Sequence, residues 1–223
     1  MMQKISVIAF DIDGTLYSSS LFTLRIIPYF LRHLPFYLKY NKVRKILHKT
    51  APLPDFYEYQ ARLLGDLLKC TPKEAKALVN SIVYEGLRPY FEATKPFRHL
   101  DEVFKKLKDS GYKLALLSDF PPSQKGEIWG VKKYCDLILG TEELGALKPS
   151  KYPFGIMAKK LGVEPENVLY VGNSVKYDVL GAKNAGMKTA YIMPLWRKIL
   201  HIPLKLADIN FFYYRQLADI MLK

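Results

Sequence analysis

The sequence predicts an α/β fold, in which a Rossmann-like, doubly wound parallel sheet forms the core and an α-helical segment is inserted after the first strand. Two observations lead to this prediction. Short β-branched apolar runs alternate with helical patterns over most of the chain, as in parallel sheets covered by helices. A stretch of about 75 residues interrupts this alternation. We therefore expect residues 1–17 and 93–223 to form the core and residues 18–92 to form a helical insertion.

The strands of the core are predicted from apolar runs that end at a polar or turn residue. These runs cover residues 5–10, 113–117, 168–171 and 188–193, and a last strand is expected within residues 207–214. Helical patterns cover residues 100–110, 153–161 and 177–185, and a terminal helix is expected at 216–222. Each of the first three helical patterns is followed by a glycine, which commonly ends a helix.

Residues 18–92 have the pattern of several helices, rich in Leu, Tyr and Phe and interrupted by prolines. Its aromatic side chains are expected mainly to pack these helices against one another. The most apolar part, residues 21–38, contains Arg25, Arg32 and two prolines. We therefore do not expect it to span a membrane.

The composition is that of a soluble globular protein, with 49% hydrophobic and 25% charged residues in a chain of 223. Cys70 and Cys135 lie far apart and outside any metal-binding spacing, which favours a cytoplasmic location without a disulfide. The first residues do not have the pattern of a signal peptide. The formal net charge is +13, and no Asp or Glu occurs in residues 14–54 or 179–207. Such basic stretches bear on partners rather than on the fold.

Polar clusters follow three of the predicted strands, and a lysine precedes one of the predicted helices. The clusters are Asp11 with Asp13, Ser118 with Asp119, and Asn173 with Ser174 and Asp178, and the lysine is Lys148. Because the carboxyl ends of parallel strands open on one crevice, we expect these side chains to converge there.

The residue types indicate phosphoryl transfer. Two carboxylates at i and i+2 on an extended segment point the same way, so one of Asp11 and Asp13 could attack while the other handles a proton. A carboxylate nucleophile gives an acyl phosphate. Oxygen ligands without thiolates suit Mg²⁺, and a lysine brings positive charge where an anion must meet a carboxylate.

The motifs resemble those of the haloacid dehalogenase-like hydrolase superfamily. They are Asp11-Ile12-Asp13-Gly14-Thr15-Leu16, Leu116-Leu117-Ser118-Asp119, Leu147-Lys148-Pro149, and Val171-Gly172-Asn173-Ser174 with Asp178. They occur in the order and spacing of that family, and the helical insertion lies where many members carry a helical cap. The resemblance therefore implies that residues 18–92 form an α-helical cap domain on the Rossmann-like core. The second aspartate, Asp13, argues against the dehalogenase branch, which resembles this motif but lacks an acid/base at that position.

The resemblance implies a role for each of these residues. Asp11 is expected to be the nucleophile and a metal ligand, and Asp13 the general acid/base with its backbone carbonyl on the metal. Asn173 and Asp178 are expected to supply or order the other metal contacts. The residues expected to bind the phosphate are Thr15, Ser118, Asp119 and Lys148. The implied cofactor is Mg²⁺.

Two positions depart from the family pattern, which commonly has Asp where this chain has Asn173 and Asn where it has Asp119. An amide oxygen can still bind magnesium but carries no formal charge. Asp119 either places an extra anion near the phosphate or turns away to cap the helix after Pro121 and Pro122.

The function predicted is a Mg²⁺-dependent phosphatase that hydrolyses a small phosphorylated metabolite through an aspartyl-phosphate. Two alternatives stay open: a phosphomutase or phosphotransferase with the same chemistry, and a binding module of this fold that docks on an acidic partner or a membrane surface. Nucleic acid is not expected as a partner, and contact with a membrane surface is not favoured. The sequence leaves the substrate and the oligomeric state open.

The two acid-free stretches suggest a further hypothesis, one basic surface at the mouth of the active site, with two unrelated solvated faces as the alternative. In the second stretch, Arg197, His201 and Lys205 fall four residues apart and are expected to line one side of a short helix. The apolar residues between them are expected to pack beneath (Trp196, Ile199, Leu200).

Overall fold

The chain forms one six-stranded sheet in a computed structural model that describes residues 5–222. The strands are β1 (Val7–Phe10), β2 (Lys113–Ser118), β3 (Leu137–Gly140), β4 (Val168–Gly172), β5 (Lys188–Ile192) and β6 (Ile209–Phe211). Their order across the sheet is β3-β2-β1-β4-β5-β6, and every neighbouring pair is parallel. The predicted α/β class with a parallel sheet is confirmed.

Ten α-helices lie in the described part of the chain. They are α1 (Ser19–Arg32), α2 (Leu34–Leu47), α3 (Phe56–Leu68), α4 (Pro72–Leu78), α5 (Gly86–Glu92), α6 (Leu100–Asp109), α7 (Lys151–Leu161), α8 (Leu180–Asn184), α9 (Leu195–Ile199) and α10 (Tyr214–Met221). A π-helical stretch, Val79–Glu85, joins α4 to α5, and another, Val175–Val179, precedes α8. The last strand, expected within residues 207–214, covers only Ile209–Phe211, and Tyr214 is already the first residue of α10.

Strand β3 was missed by the sequence patterns. It has only four residues, lies at the edge of the sheet and is half-buried over its first two residues. An edge strand that short gives neither a long apolar run nor a clear alternation, so periodicity does not separate it from a loop.

Residues of β1 alternate between the two faces of the sheet, and each face has its own core. Ile8 and Phe10 belong to a cluster with residues of α6 and α10, while Val7 and Ala9 belong to a cluster with residues of α7 and α8. All four are fully buried. Burying a large apolar side chain contributes roughly 1.5–3 kcal/mol, so a strand buried on both faces is strongly fixed in place. That rigidity positions the residues that follow β1.

Three of the five α-helices between β1 and α6, namely α1, α3 and α4, begin at side chains that cap them. The Ser18 hydroxyl accepts from the amide of Leu21 at the start of α1, and Asp55 accepts from Glu58 at the start of α3. Thr71 and Glu74 form a reciprocal capping box at the start of α4. Such caps satisfy amides that have no partner inside the helix, each with about 1 kcal/mol of stabilisation.

These helices also share a hydrophobic cluster of their own. It contains Tyr40 and Val43 of α2 and Phe56 and Leu64 of α3, and Leu147 joins it from the loop before α7. The expected position and helical character of residues 18–92 therefore agree with the structure. Their behaviour as a separate cap domain stays a prediction.

The region after β5 differs from the sequence expectation. Trp196, Ile199 and Leu200 were expected to pack beneath the basic residues, but all three are exposed. Arg197 is instead half-buried, and its Nη1 donates to the carbonyl of Ile202. The guanidinium of Arg197 thus lies against the loop backbone as a hydrogen-bond donor, and the three apolar side chains face the solvent. No helix within residues 5–222 is long and apolar enough to cross a membrane.

Candidate active site

The polar clusters meet at one edge of the sheet because β2, β1 and β4 are neighbours. Phe10 pairs with Leu116 of β2 and with Val171 of β4, so the three strands end at nearly the same level. The amide of Asp11 donates to Val171 O at 2.9 Å, which continues the β1–β4 pairing by one residue. Residues just beyond these strand ends must therefore lie side by side, as expected from the sequence.

Lys148 lies at the centre of this cluster. Its Nζ is 2.7 Å from Asp11 Oδ1 and 2.8 Å from Asp178 Oδ1, and all three side chains are buried. It also donates to the hydroxyl of Tyr170 at 3.3 Å. Burial favours the neutral amine, but the two carboxylates outweigh it and raise the pKa of Lys148 well above its ordinary value.

Burial, together with the nearby carboxylates of Asp178 and Asp13, raises the pKa of Asp11 to about 7, and the Lys148 ammonium opposes this rise. The charge of the Asp11 carboxyl near neutral pH therefore depends on its positive neighbours.

Asp178 is held by the loop after β4 as well as by Lys148. Its Oδ2 accepts from the amides of Asn173 at 3.1 Å and Ser174 at 2.9 Å. A Cβ on Gly172 would lie 2.3 Å from the Cβ of Asp178, so only glycine allows this approach. Asp178 therefore orients both the lysine and the loop that carries Asn173.

Thr15 links the first and last motifs. Its hydroxyl lies 2.8 Å from Asp11 Oδ2 and 3.2 Å from Asn173 Oδ1, so these two oxygens converge on one point. Gly14 has a φ of +87°, and a Cβ there would lie 2.4 Å from Asn173 Nδ2. The turn that brings Thr15 over the strand ends thus requires glycine, both for its backbone and for space.

The oxygens of Asp11 and Asn173, both within hydrogen-bond distance of the Thr15 hydroxyl, could hold a hard cation. A carboxylate and an amide oxygen are donors that suit Mg²⁺ when waters and substrate fill the other positions. Within residues 5–222, no group of three or more His, Cys, Asp or Glu side chains is placed to hold a metal ion. The formal charge at the site is low because Asn173 is neutral and Asp178 faces Lys148.

Asp13 faces the other side of the site. Its Oδ1 accepts from the hydroxyl of Tyr17 at 2.8 Å, and its Oδ2 accepts from Ser118 Oγ at 3.0 Å. The side chain keeps an exposed fraction of 27%, whereas that of Asp11 is 5%. Asp13 can therefore meet a ligand that enters the site, while its two oxygens are held by the protein.

Lys125 is a functional candidate that the sequence patterns did not identify. Its Nζ lies 3.2 Å from Asp13 Oδ2, and its side chain is completely buried. The ammonium lies 4.9 Å from the centre of the Phe91 ring and 5.6 Å from that of Phe120, and among the described residues it has no hydrogen-bond partner. Lys125 follows Ser118 by seven residues in a proline-containing loop, where no periodicity points to it.

Asp119 does not cap a helix, so that alternative is wrong. The helical turn that follows, Pro122–Lys125, has no side-chain cap. Asp119 Oδ1 instead accepts from Thr141 Oγ1 at 2.7 Å and from the amide of Lys148 at 3.1 Å. It thereby fixes the backbone from which the central lysine extends. A direct contact with phosphate stays a prediction.

Helix α2 touches the loops that hold the site. His48, just beyond α2, donates from Nδ1 to the carbonyl of Lys148 at 2.6 Å. Arg44 forms a buried ion pair with Glu142, which also accepts from the Tyr84 hydroxyl at 2.7 Å. The Arg44 guanidinium lies 4.7 Å from the centre of the Phe120 ring. A movement of α2 would therefore disturb the loops after β2 and β3.

A cavity of about 540 Å³ lies beside the cluster of Lys148, Asp11 and Asp178 rather than at it. Gln124 and Pro121 line it on the side of the sheet, and Lys73, Lys76 and Arg88 line it on the side of the cap helices. Its lining does not include Asp11 or Lys148. Gln124 is nevertheless adjacent in sequence to Lys125, so the cavity adjoins the side of the site where Asp13 lies.

Comparisons with known proteins relate the chain to a family, to named relatives and to a solved structure. A family model described as haloacid dehalogenase-like hydrolase matches residues 5–186. The pyrophosphatase PpaX of Halalkalibacterium halodurans is 26% identical, with 85% of this chain and 84% of that protein covered. The phosphoglycolate phosphatase of Aquifex aeolicus is 30% identical, with 85% and 84% covered. A solved HAD phosphatase from Thermococcus onnurineus superposes with a TM-score of 0.64 at 22% identity, covering 98% of each chain.

Proposed function

Because the chain belongs to the haloacid dehalogenase-like hydrolase family, we propose that it is a Mg²⁺-dependent phosphoric monoester hydrolase that forms an aspartyl-phosphate on Asp11. Its substrate in this proposal is a small phosphorylated metabolite, and water is the final acceptor. The relatives compared above bear the names of a pyrophosphatase and a phosphoglycolate phosphatase, which supports this substrate class.

The observation that carries the proposal is the buried Lys148 ammonium within hydrogen-bond distance of Asp11. An anionic nucleophile and an anionic phosphate repel each other, and a fixed positive charge between them offsets that repulsion. Asp178 holds the ammonium from the other side, so the charge is in place before the substrate binds.

In the first step, Asp11 attacks phosphorus in line and the bond from phosphorus to the ester oxygen breaks. Asp13, which is more exposed than Asp11, gives a proton to the departing oxygen. The Ser118 hydroxyl, which donates to Asp13 in this structure, lies at the end of β2 where it can donate to the phosphoryl oxygens.

In the second step, Asp13 accepts a proton from water, and the oxygen of that water attacks the phosphorus of the aspartyl-phosphate. The products are inorganic phosphate and the restored carboxylate of Asp11. Thr15 keeps the Asp11 side chain oriented through its hydrogen bond to Oδ2.

A bound Mg²⁺ would lower the charge on the phosphoryl group and help orient it. The residues that would hold it are Asp11 through its carboxylate, Asp13 through its backbone carbonyl, and Asn173 through its amide oxygen. Asp178 would order that loop, since both of its carboxylate oxygens already have partners in the protein.

The direct test is phosphate release from purified protein. We expect hydrolysis of an aryl phosphate that requires Mg²⁺ and stops in excess chelator, followed by a narrower preference in a panel of phosphorylated metabolites. Turnover that is insensitive to chelator would contradict the proposal. Release of the alcohol without inorganic phosphate, when a second alcohol is present, would instead indicate a phosphotransferase.

Lys125 is proposed to position Asp13, because it is the charged group that faces one of the two oxygens of this carboxylate. We expect Lys125→Met to slow hydrolysis of an alkyl phosphate by about 10-fold or more, and hydrolysis of a nitrophenyl phosphate by much less. A poor leaving group needs the proton from Asp13, whereas a good one does not. Steady-state kcat for the two substrates measures this difference.

The matched control for this prediction is Lys132→Met, at an exposed lysine near the same loop. It should change neither rate. Equal losses for both substrates in Lys125→Met, with the protein folded, would show that Lys125 serves stability rather than the placement of Asp13.

Asn173→Asp is expected to lower the Mg²⁺ concentration for half-maximal activity by about threefold or more. The new carboxylate would stand beside Asp11 Oδ2, where the Asn173 oxygen lies now, and would strengthen attraction for the cation. A Mg²⁺ titration of activity at fixed ionic strength measures the shift. Asn167→Asp, before the opposite end of β4, is the control and should leave the midpoint unchanged. An unchanged or raised midpoint in Asn173→Asp would contradict a metal contact.

A further inference from the structure

A short segment after β5 exposes an unusual number of apolar side chains. We name residues 195–205, which include α9, the α9 segment. Its exposed apolar residues are Leu195, Trp196, Ile199, Leu200 and Ile202, with exposed fractions between 47% and 69%. Scattered exposed leucines are ordinary in a protein surface, but five large apolar side chains within eight residues form a patch.

The exposure is built into the fold of the segment. Arg197 Nη1 donates to the carbonyl of Ile202 at 3.1 Å and lies within 3.5 Å of that of Pro203, which closes the chain into a compact turn. Its guanidinium lies 4.6 Å from the centre of the Trp196 ring. The long polar side chain thus occupies the inner side of the turn, and the apolar side chains are directed outward.

The segment is anchored to the sheet from below. Leu204 and Leu206 pack against a buried cluster that contains Tyr191 of β5 and Val179. Lys198 Nζ lies 4.0 Å from the centre of the Tyr213 ring, which is itself exposed and adjoins the patch. The apolar surface is therefore held on an ordered base.

The charge around the patch is positive. The segment carries Arg197, Lys198, His201 and Lys205, and the sequence has no Asp or Glu from 179 to 207. The first acidic residue after it, Asp208, accepts from the Thr189 hydroxyl at 2.8 Å and lies 3.5 Å from Lys183 Nζ. Its charge is therefore already offset by groups of the core.

We propose that the α9 segment docks on the surface of an anionic lipid bilayer. Trp, Leu and Ile enter the boundary between headgroups and acyl chains, and Lys and Arg side chains bind the anionic headgroups above it. Trp196 has the amphipathic ring that favours this interface, and Lys198 and Lys205 have the flexible stems that reach the headgroups. Apolar and basic side chains on one exposed segment are complementary to such a surface.

A second copy of the chain fits this patch less well. In a two-fold dimer the patch would meet itself, and the basic residues of one copy would face those of the other without acidic partners in the segment.

Because β5 ends at the same edge of the sheet as β1 and β4, docking turns the edge that carries Asp11 toward the lipid.

The test is co-sedimentation of the full chain with vesicles. We expect binding to phosphatidylcholine vesicles that contain phosphatidylglycerol, weak binding to phosphatidylcholine alone, and weaker binding at high salt. The variant Leu195→Ser/Ile199→Ser/Leu200→Ser should lose at least about 10-fold in vesicle affinity. Its hydrolysis of a soluble aryl phosphate and its thermal unfolding should match the wild type, since these side chains are exposed and lie outside the catalytic cluster.

A matched control replaces three leucines of α1 that are equally exposed, Leu21, Leu24 and Leu31, with serine. It should bind vesicles as the wild type does. Failure of the wild type to bind anionic vesicles, or equal losses in both variants, would overturn the proposal. Self-association that the α9 variant abolishes, without vesicle binding, would also overturn it and assign the patch to a dimer. Quenching of Trp196 fluorescence by brominated lipid, absent in Trp196→Ser, would support insertion at this segment.

Discussion

Asp11→Asn is expected to abolish phosphatase activity, with a loss of about 10⁴-fold or more, while the protein stays folded. The amide has nearly the same shape and can still accept from Thr15, but it does not form an acyl phosphate. Burial already raises the pKa of Asp11 to about 7, so a neutral side chain is tolerated at this position. We therefore expect little loss of stability near neutral pH.

The measurements are phosphate release and thermal unfolding in the same buffer with Mg²⁺. Asp66→Asn, at an exposed position of α3, is the control for a change of Asp to Asn and should keep full activity. Residual turnover above that of a chelated wild type would show that another group attacks the phosphate.

Lys148→Met should damage both activity and stability. We expect turnover to fall by about 10³-fold or more, because the positive charge between nucleophile and phosphate is gone. We also expect the free energy of unfolding to fall by about 3–5 kcal/mol, since Asp11 and Asp178 would stay buried without their shared cation.

The loss of stability in Lys148→Met should depend on pH in a defined direction. Without the ammonium, burial and the neighbouring carboxylates raise the pKa of Asp11 further above its ordinary value in the folded state, so the folded protein binds more protons than the unfolded chain. Stability is then present at low pH and is lost as pH rises through the raised pKa of Asp11. The difference from the wild type should be larger at about pH 8 than at about pH 5.

Urea unfolding in chelator at these two pH values measures the effect. Lys151→Met, at an exposed lysine at the start of α7, is the control and should show neither the loss nor its pH dependence. A constant difference between wild type and Lys148→Met across this range would mean that the two carboxylates do not depend on Lys148 for their charge.

The polar cluster at the strand ends could be predicted because it depends on strand order and not on details of packing. Asp11, Ser118 and Asn173 each follow or end a short buried run, and parallel strands bring such positions to one edge. The family motif then assigned roles to them. Lys148 follows no predicted strand and was identified by its place in the series of motifs, and its position between Asp11 and Asp178 is a result of the fold.

The residues that support this cluster were outside the reach of sequence patterns. Lys125 approaches Asp13 only because the loop after β2 folds back over the site, and Asp119 turns to Thr141 because β3 adds an edge strand that periodicity missed. Local sequence does not specify contacts between residues that the chain brings together from distant positions.

By itself, the sequence determined the α/β class, the parallel sheet, the helical stretch after β1 and the family, because hydrophobic period and motif spacing are local properties of the chain. The tertiary structure alone decided which side chains are covered. At α9 the period suggested buried apolar residues, yet Trp196, Ile199 and Leu200 are exposed. A helical period shows that one face of a helix is more apolar than the other. Which face is buried depends on whether the core offers an apolar surface beside the helix. At α9, the Arg197 side chain lies on the inner side and donates to the carbonyl of Ile202.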